Sequence, residues 1–240
     1  MDRAQLDKDL ARLVDRLQQP DSPGCSALLY GSAARGDWIA SRSDVNLLLV
    51  VDDASPDGLR RLSLAVTEWH RAGHTAPLII GRAEWARSVD VFPIEMTDMQ
   101  LAYRMLLGSD PLDGVRVAPA DLRRALESEL RGKMVRLRQA YVRFGESNVT
   151  LGGFATASIG QMLVLLRCTA VLLNRTPGAT AAAAVESLAD VLGEEAAVAV
   201  EIAGHRPDSE WNCPPATFVR YLEFVRRAVE FIDHYQQGDA

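Results

Sequence analysis

The sequence predicts an α/β domain followed by an all-α helical bundle, and three observations carry that prediction. In the first part of the chain, short aliphatic runs bounded by Gly, Pro or Asp alternate with amphipathic stretches. The segment Ser109-Asp110-Pro111-Leu112-Asp113-Gly114 is dense in turn-forming residues and reads as a domain boundary. Beyond it, apolar residues recur at spacings of three and four, as in Phe218, Leu222, Val225, Val229 and Ile232, which is the stripe of a packed helix. The 240 residues therefore divide into 1–114 and 115–240.

In chain order, Leu6, Leu10, Leu13 and Leu17 form one stripe of a helix over 3–18. Cys25-Ser26-Ala27-Leu28-Leu29-Tyr30 is a buried strand between Pro23-Gly24 and Gly31, and residues 45–51 are a second. A helix over 56–72, a strand over 76–80 and a short helix near 82–88 follow. Residues 90–97 read as a strand, with Pro93 at an edge position, and Leu101 to Leu107 as a helix ended by Gly108. The second part reads as helices over 119–144, 150–175, 179–203 (broken at Gly193) and 215–236, joined by short connections as an antiparallel bundle. Ala181 to Ala184 is simply a good helix former.

The chemistry concentrates where the first two strands meet. Gly31 permits a sharp turn and close approach to a ligand, and Ser32 offers a hydroxyl and a backbone N–H. If 33–36 begin a helical turn, free N–H groups point at any bound phosphate, and Arg35 adds a planar fork suited to phosphate oxygens. Asp44 and Asn46 sit two apart at the start of the next strand, so both project to one face, toward that turn. Two oxygen ligands on one strand suit a hard cation such as Mg²⁺, completed by substrate phosphates.

The segment 31–51 resembles the signature of the nucleotidyltransferase superfamily related to DNA polymerase beta, which includes aminoglycoside adenylyltransferases. The family pattern is Gly-Ser, a spacer of about ten residues, then Asp-x-Asp or Asp-x-Glu entering a hydrophobic strand. Here the spacer is Ala33 to Ser43 and the pair is Asp44 and Asn46, with Arg35-Gly36 and Ser43 at common positions of the pattern. The resemblance implies a mixed sheet with flanking helices. It also implies that Gly31, Ser32, Arg35 and Ser43 hold the phosphates of a nucleoside triphosphate, and that Asp44 binds metal. A third carboxylate is implied on a later strand, for which Glu95 is preferred and Asp90 is the alternative. The metal set would then be Asp44, Asn46 and Glu95, with Asp44 and Glu95 as the catalytic acids. The implied reaction transfers a nucleotidyl group, adenylyl by preference, from Mg²⁺-bound ATP to a hydroxyl of a small molecule or protein. The helical half would close the cleft, with Glu127, Glu129, Arg131 and Lys133 on its first helix as polar candidates.

Asn46 departs from the pattern, standing where the family places a second carboxylate. An amide oxygen ligates a cation without adding negative charge. Three outcomes stay open: nucleotide binding without turnover, slow turnover on one metal, or retention of the fold with loss of the ligand. The alternative to an enzyme is a pseudoenzyme that binds a nucleotide or a protein partner.

Composition narrows the setting. A net charge of -6 argues against a general nucleic-acid binder. Three cysteines far apart, Cys25, Cys168 and Cys213, suit reduced thiols in a cytoplasmic protein better than a disulfide framework. Ser147 to Leu166 carries no charge, but its Asn, Thr, Gly, Ser and Gln content, with Arg167 next, reads as a buried bundle helix rather than a membrane span. The oligomeric state is open. No Gly-Lys-Ser/Thr phosphate loop, three-glycine dinucleotide fingerprint, Cys-x-x-Cys or Gly-x-Ser-x-Gly occurs. His70 and His74 share metal-pair spacing, but Gly73 between them ends the helix, and both read as surface residues. Arg227 and His234 lie seven apart on one helix face. That resembles the Arg-x6-His arrangement of small helical ribonuclease domains, a pattern too permissive to carry a site.

Overall fold

The computed structural model describes residues 2–40, 43–208 and 210–235. Ser41 and Arg42 of the spacer, and Gln236 at the expected end of the last helix, lie outside them. The chain divides into two compact units, Met1–Arg116 and Val117–Ala240.

The N-terminal unit is a four-stranded mixed sheet with flanking helices. Its elements are α1 (Arg3–Leu17), β1 (Cys25–Tyr30), α2 (Ser32–Arg35), β2 (Asn46–Val51), α3 (Pro56–Arg61), α4 (Ser63–Arg71), β3 (Leu78–Gly81), α5 (Arg82–Trp85), α6 (Pro93–Leu101) and β4 (Tyr103–Leu107). The strand order is β3-β2-β1-β4. Strand β1 runs antiparallel to both β2 and β4, and β2 runs parallel to β3. Alternation divides the two central strands between the faces. Ala27, Leu29, Val45, Leu47, Leu49 and Val51 pack with the leucine stripe of α1 and with Leu62, Ala65 and Trp69. Leu28, Leu48 and Val50 are equally buried on the other face, the one shared by Tyr30 and Asn46.

Two elements correct the sequence reading. Residues 90–97 are not a strand: Val89 to Val91 form a turn, and α6 begins at Pro93. Proline fits this first helical turn because its missing N–H has no intrahelical partner there. Ile94, Met96, Thr97, Asp98 and Met99 are all buried, so the helix shows no single apolar stripe to reveal its period. Residues Tyr103–Leu107 are not helical but form the edge strand β4, paired to β1 from Tyr30↔Tyr103 to Ala27↔Leu107. The expected helix 56–72 is divided at Leu62 into α3 and α4.

The C-terminal unit contains α7 (Pro119–Phe144), α8 (Asn148–Leu172), α9 (Ala181–Glu186), α10 (Ala189–Leu192), a 3₁₀ turn (Glu194–Ala196), α11 (Ala197–Gly204) and α12 (Pro215–His234). Gly193 takes a left-handed φ of 71° where the third stretch breaks. Cross-contacts run in opposite order along paired helices. Glu129 meets Gln161 and Lys133 meets Ser158 between α7 and α8, while Arg131 meets Asp233 and Tyr141 meets Phe218 between α7 and α12. Both pairs are therefore antiparallel. Helix α8 is long and apolar enough to cross a membrane by length and composition, but half of that stretch is buried within the protein. Its Arg167 is buried, donating to the carbonyls of Gly178 and Ala179 at 3.1 and 2.8 Å. A charged group so satisfied belongs to a bundle core rather than a lipid-facing surface.

Candidate functional site

The site is built from four elements of the N-terminal unit. Strand β1 ends at Tyr30, and Gly31 turns the chain with φ 70° and ψ -148°, a conformation that L side chains rarely adopt. The single turn α2 follows, its Ala34 and Arg35 N–H groups donating to the Gly31 carbonyl at 3.1 and 2.9 Å. Gly36, with φ 100°, closes it. Across the ladder, Asn46 is the direct partner of Tyr30. A side chain at Gly31 would place its Cβ 2.9 Å from the Asn46 Nδ2 and 3.9 Å from an Asp98 oxygen. The glycine thus leaves the space into which an amide from β2 and a carboxylate from α6 converge.

Asp44 precedes β2 and is exposed, Val45 beside it is in the core, and Asn46 is half-buried. This alternation puts Asp44 and Asn46 on one face, with Tyr30. Glu95 is exposed in the first turn of α6, on a helix rather than on the strand assigned from sequence. Asp98, one turn further on, is nearly buried. Both acids act on Tyr30: burial pushes its hydroxyl up to about 12, and the negative charges of Glu95 and Asp98 push the same way. The structure thus brings Gly31, Asn46, Glu95 and Asp98 around the end of β1. Asp90 lies in the exposed turn before α6.

Arg35 is largely withdrawn from solvent, with 9 % of its side chain exposed. Its Nε donates to Asp37 at 3.1 Å and its Nη1 to Asp98 at 3.3 Å. It ties the end of α2 to α6. Ser43 is held against Trp38 and Ile39. There its hydroxyl accepts from the Ile39 N–H at 3.1 Å and its carbonyl accepts from the Trp38 indole at 2.9 Å. Ser32 is half-buried at the start of α2.

Sequence reasoning missed two residues here, Tyr30 and Asp98. Asp98 had a signal: with Pro93 read as a helix start, Glu95 and Asp98 stand at i and i+3, on neighbouring positions of one helix face. Tyr30 had none, because its role rests on the approach of α6 to the end of β1.

The Mg²⁺ implied by the sequence pattern is tested by the donor set. Strand β2 and its lead-in present one carboxylate, Asp44, and one neutral amide, Asn46. Asp98 is engaged by Arg35, a cation that Asp37 shares. Among the described residues, no three His, Cys, Asp or Glu side chains gather into a group able to hold a metal ion. The residues do not fit a three-carboxylate, two-metal centre.

Other sites fared differently. His74 is buried, not on the surface. Its Nε2 lies 3.0 Å from an Asp9 oxygen and its ring stacks on Trp69 at 3.7 Å. A groove of about 420 Å³ beside this pair is lined by Arg12, Leu13, Arg16, Glu68 and Trp69. In the C-terminal unit, Lys133 is buried and donates to the Ser158 carbonyl and to Gln161, both at 3.1 Å. Glu127 pairs with Arg123 and Arg131, and Glu129 accepts from Gln161. Arg227 and His234 border one open groove, where Arg227 is engaged by Glu195 and Glu223.

A scan of protein-family models and a search of curated proteins find no match to this chain.

Proposed function

We propose that this chain is a nucleotidyltransferase-like protein that binds a nucleoside triphosphate, with ATP the first candidate, at the Gly31–Ser32 turn. Transfer chemistry would be degenerate. The observation that supports this reading is the glycine-only turn at the end of β1, which the Asn46 amide approaches so closely that a Cβ at Gly31 would stand 2.9 Å from its Nδ2. Such a turn lets backbone N–H groups and the Ser32 hydroxyl approach an anionic ligand. The strand order, with β1 antiparallel to β2 and the Asp44–Asn46 pair at the entry to β2, is consistent with that reading.

Of the two roles open to such a protein, a non-catalytic nucleotide or partner binder is favoured by the charge at the second position of the pair. Asn46 contributes none, so the negative charge needed to hold a catalytic metal is reduced. Nucleotidyl transfer to a hydroxyl acceptor, on a single Mg²⁺, remains the second reading. It is favoured by Asp44 and Glu95, two exposed carboxylates on the chain segments that border the turn.

Calorimetric titration of ATP into the full chain tests the proposal. One binding site per chain is expected, with loss of binding in Gly31→Ala. Absence of ATP and GTP binding in the intact protein would overturn it. Pyrophosphate release in the presence of hydroxyl acceptors would move the assignment to the second reading.

A further inference from the structure

We infer that the outer face of α7, over its C-terminal half, is a docking surface for an anionic lipid bilayer, on which the protein rests peripherally. The inference is independent of the nucleotide-binding reading and concerns the C-terminal unit alone.

The unit is polarised along its length. Its exposed large apolar side chains, among the described residues, are Val135, Tyr141, Val142, Val149, Phe154 and Val219. All belong to the second half of α7 and the first parts of α8 and α12, which the antiparallel packing brings to one end of the bundle. Val142 is 87 % exposed and Val135 51 %. Single exposed apolar residues are ordinary, but a cluster of them marks an interaction surface. Charge is divided the same way. No acid occurs from Leu130 to Gly145, nor anywhere in α8. Arg136, Arg138 and Arg143 are exposed and have no acidic partner among the described residues, and Arg143 lies over the Phe144 ring at 4.8 Å. Toward the other end, Arg123, Arg124, Arg131 and Arg227 are each matched by an acid.

The helical repeat gathers these groups on one face, because residues seven apart share a line along a helix. Val135 and Val142 form a ridge toward solvent. Arg138 is seven after Arg131, which meets Asp233 of α12, so it flanks the ridge on the α12 side. Arg136 and Arg143 are seven and fourteen after Glu129, which meets Gln161 of α8, so they flank it on the α8 side.

An apolar ridge with guanidinium groups on both flanks suits a bilayer surface. The valines enter the headgroup boundary, while the arginine stems lie along apolar surface and their heads reach lipid phosphates. A second copy of this face would bring arginine against arginine. An acidic protein segment would have to bury Arg138 and Gln139, which stand between the two valines, with individually matched partners. A headgroup layer supplies phosphate oxygens and water at every position. The net charge of -6 does not oppose this, because charges beyond about 8–10 Å from the contact are screened.

The test is co-sedimentation of the full chain with vesicles of phosphatidylcholine alone and of its equimolar mixture with phosphatidylserine. Binding to the anionic vesicles is expected to be reversible, at least about tenfold tighter than to the neutral ones, and to fade between about 0.05 and about 0.5 M NaCl. Each of Arg136→Gln, Arg138→Gln and Arg143→Gln should weaken it about fivefold, whereas Arg124→Gln at the other end should change it by less than about twofold. The double change Val135→Ser and Val142→Ser should also weaken binding while leaving its salt dependence unaltered, because the ridge enters the boundary. All these side chains are exposed, so urea unfolding should show every variant folded. Absence of binding in low salt, equal binding to both vesicle types, equal losses from Arg124→Gln and Arg138→Gln, or unchanged affinity in the valine variant would each overturn the inference. Binding of poly-L-glutamate by the same arginines without binding to vesicles would also overturn it, and would give the face to an acidic protein segment.

Discussion

The N-terminal unit holds two buried acid–base pairs of similar length and different surroundings. Asp9 and His74 meet at 3.0 Å with side chains 4 % and 1 % exposed, beneath the indole of Trp69. Arg35 and Asp98 meet at 3.3 Å, slightly more open, and the carboxylate reaches the Gly31 turn. The first pair is buried beside its own partners: Gln5 donates to Asp9 at 2.8 Å, and the Trp69 indole donates to the Thr75 carbonyl at 2.8 Å. The second shares its guanidinium with Asp37 and adjoins a glycine whose missing side chain lets the Asn46 amide approach. The first pair joins two elements of the core; the second borders the turn at the end of β1.

The largest expected effect tests that distinction. Asp9→Ala leaves His74, whose Nδ1 already lacks a partner among the described residues, without its remaining one. Leaving a buried imidazole with neither ring nitrogen bonded costs about 2–3 kcal/mol, the upper end for an unsatisfied buried polar group. Asp98→Ala leaves Arg35 with Asp37 and nearer to water, and should cost less, about 1–2 kcal/mol. Urea unfolding of both variants measures the difference, and ATP titration should show the reverse ranking, with Asp98→Ala the damaging change. Equal losses in both measurements would erase the contrast between the pairs.

Lys133 sharpens the comparison from the other unit, as a buried cation held by neutral oxygens instead of a carboxylate. Burial, and then the nearby Arg136 charge, lower its pKa from 10.5 to about 8. Between those values the unfolded chain binds more protons than the folded one, so stability rises with pH through that window. Below about pH 8 the full penalty is present, roughly 3 kcal/mol for a shift of this size. Lys133→Met should flatten the stability profile between pH 8 and 10.5 relative to wild type. An unchanged slope would mean that the ammonium is better solvated than its burial implies.

How much of this was legible in the sequence follows from where each signal resides. Strand β1 announced itself by an aliphatic run between Pro-Gly and Gly, β2 by the dense aliphatic tail that follows Asp44, and α7 and α12 by apolar periodicity. Helix α6 did not, because a helix buried on most of its surface loses its stripe and Pro93 serves a strand edge and a helix start equally. Strand β4 begins with the exposed Tyr103 and Arg104, so it lacks the apolar run of a central strand. The Gly31 turn and the Asp44–Asn46 pair were local and readable. The Arg35–Asp98 and Asp9–His74 pairs join residues 63 and 65 positions apart, and nothing short of the fold brings them together.

Gly31→Ala addresses the turn itself. A left-handed φ costs an alanine about 1–2 kcal/mol, and the new methyl would meet the Asn46 amide at 2.9 Å. A modest loss of stability in urea unfolding is therefore expected together with loss of ATP binding. Gly36→Ala carries a similar backbone strain but meets nothing within 4 Å, so it should cost stability while leaving the Asn46 and Asp98 side chains in place. If both variants bind ATP equally well, space beside Gly31 is not what the turn provides.

The smallest effect decides between the two acids considered for the third position. Glu95 raises the Tyr30 pKa by its charge, whereas Asp90 is no part of that effect. Glu95→Gln should lower the Tyr30 value from about 12 by less than about one unit, since burial contributes the larger share. Asp90→Asn, in an exposed turn, should leave it unmoved, and both changes should alter stability by no more than about 0.5 kcal/mol. Spectrophotometric titration of the tyrosines in each variant reads the shift directly. A response to Asp90→Asn equal to that of Glu95→Gln would mean that charge reaches the end of β1 from the turn as readily as from α6, and the boundary of the site would have to be drawn wider.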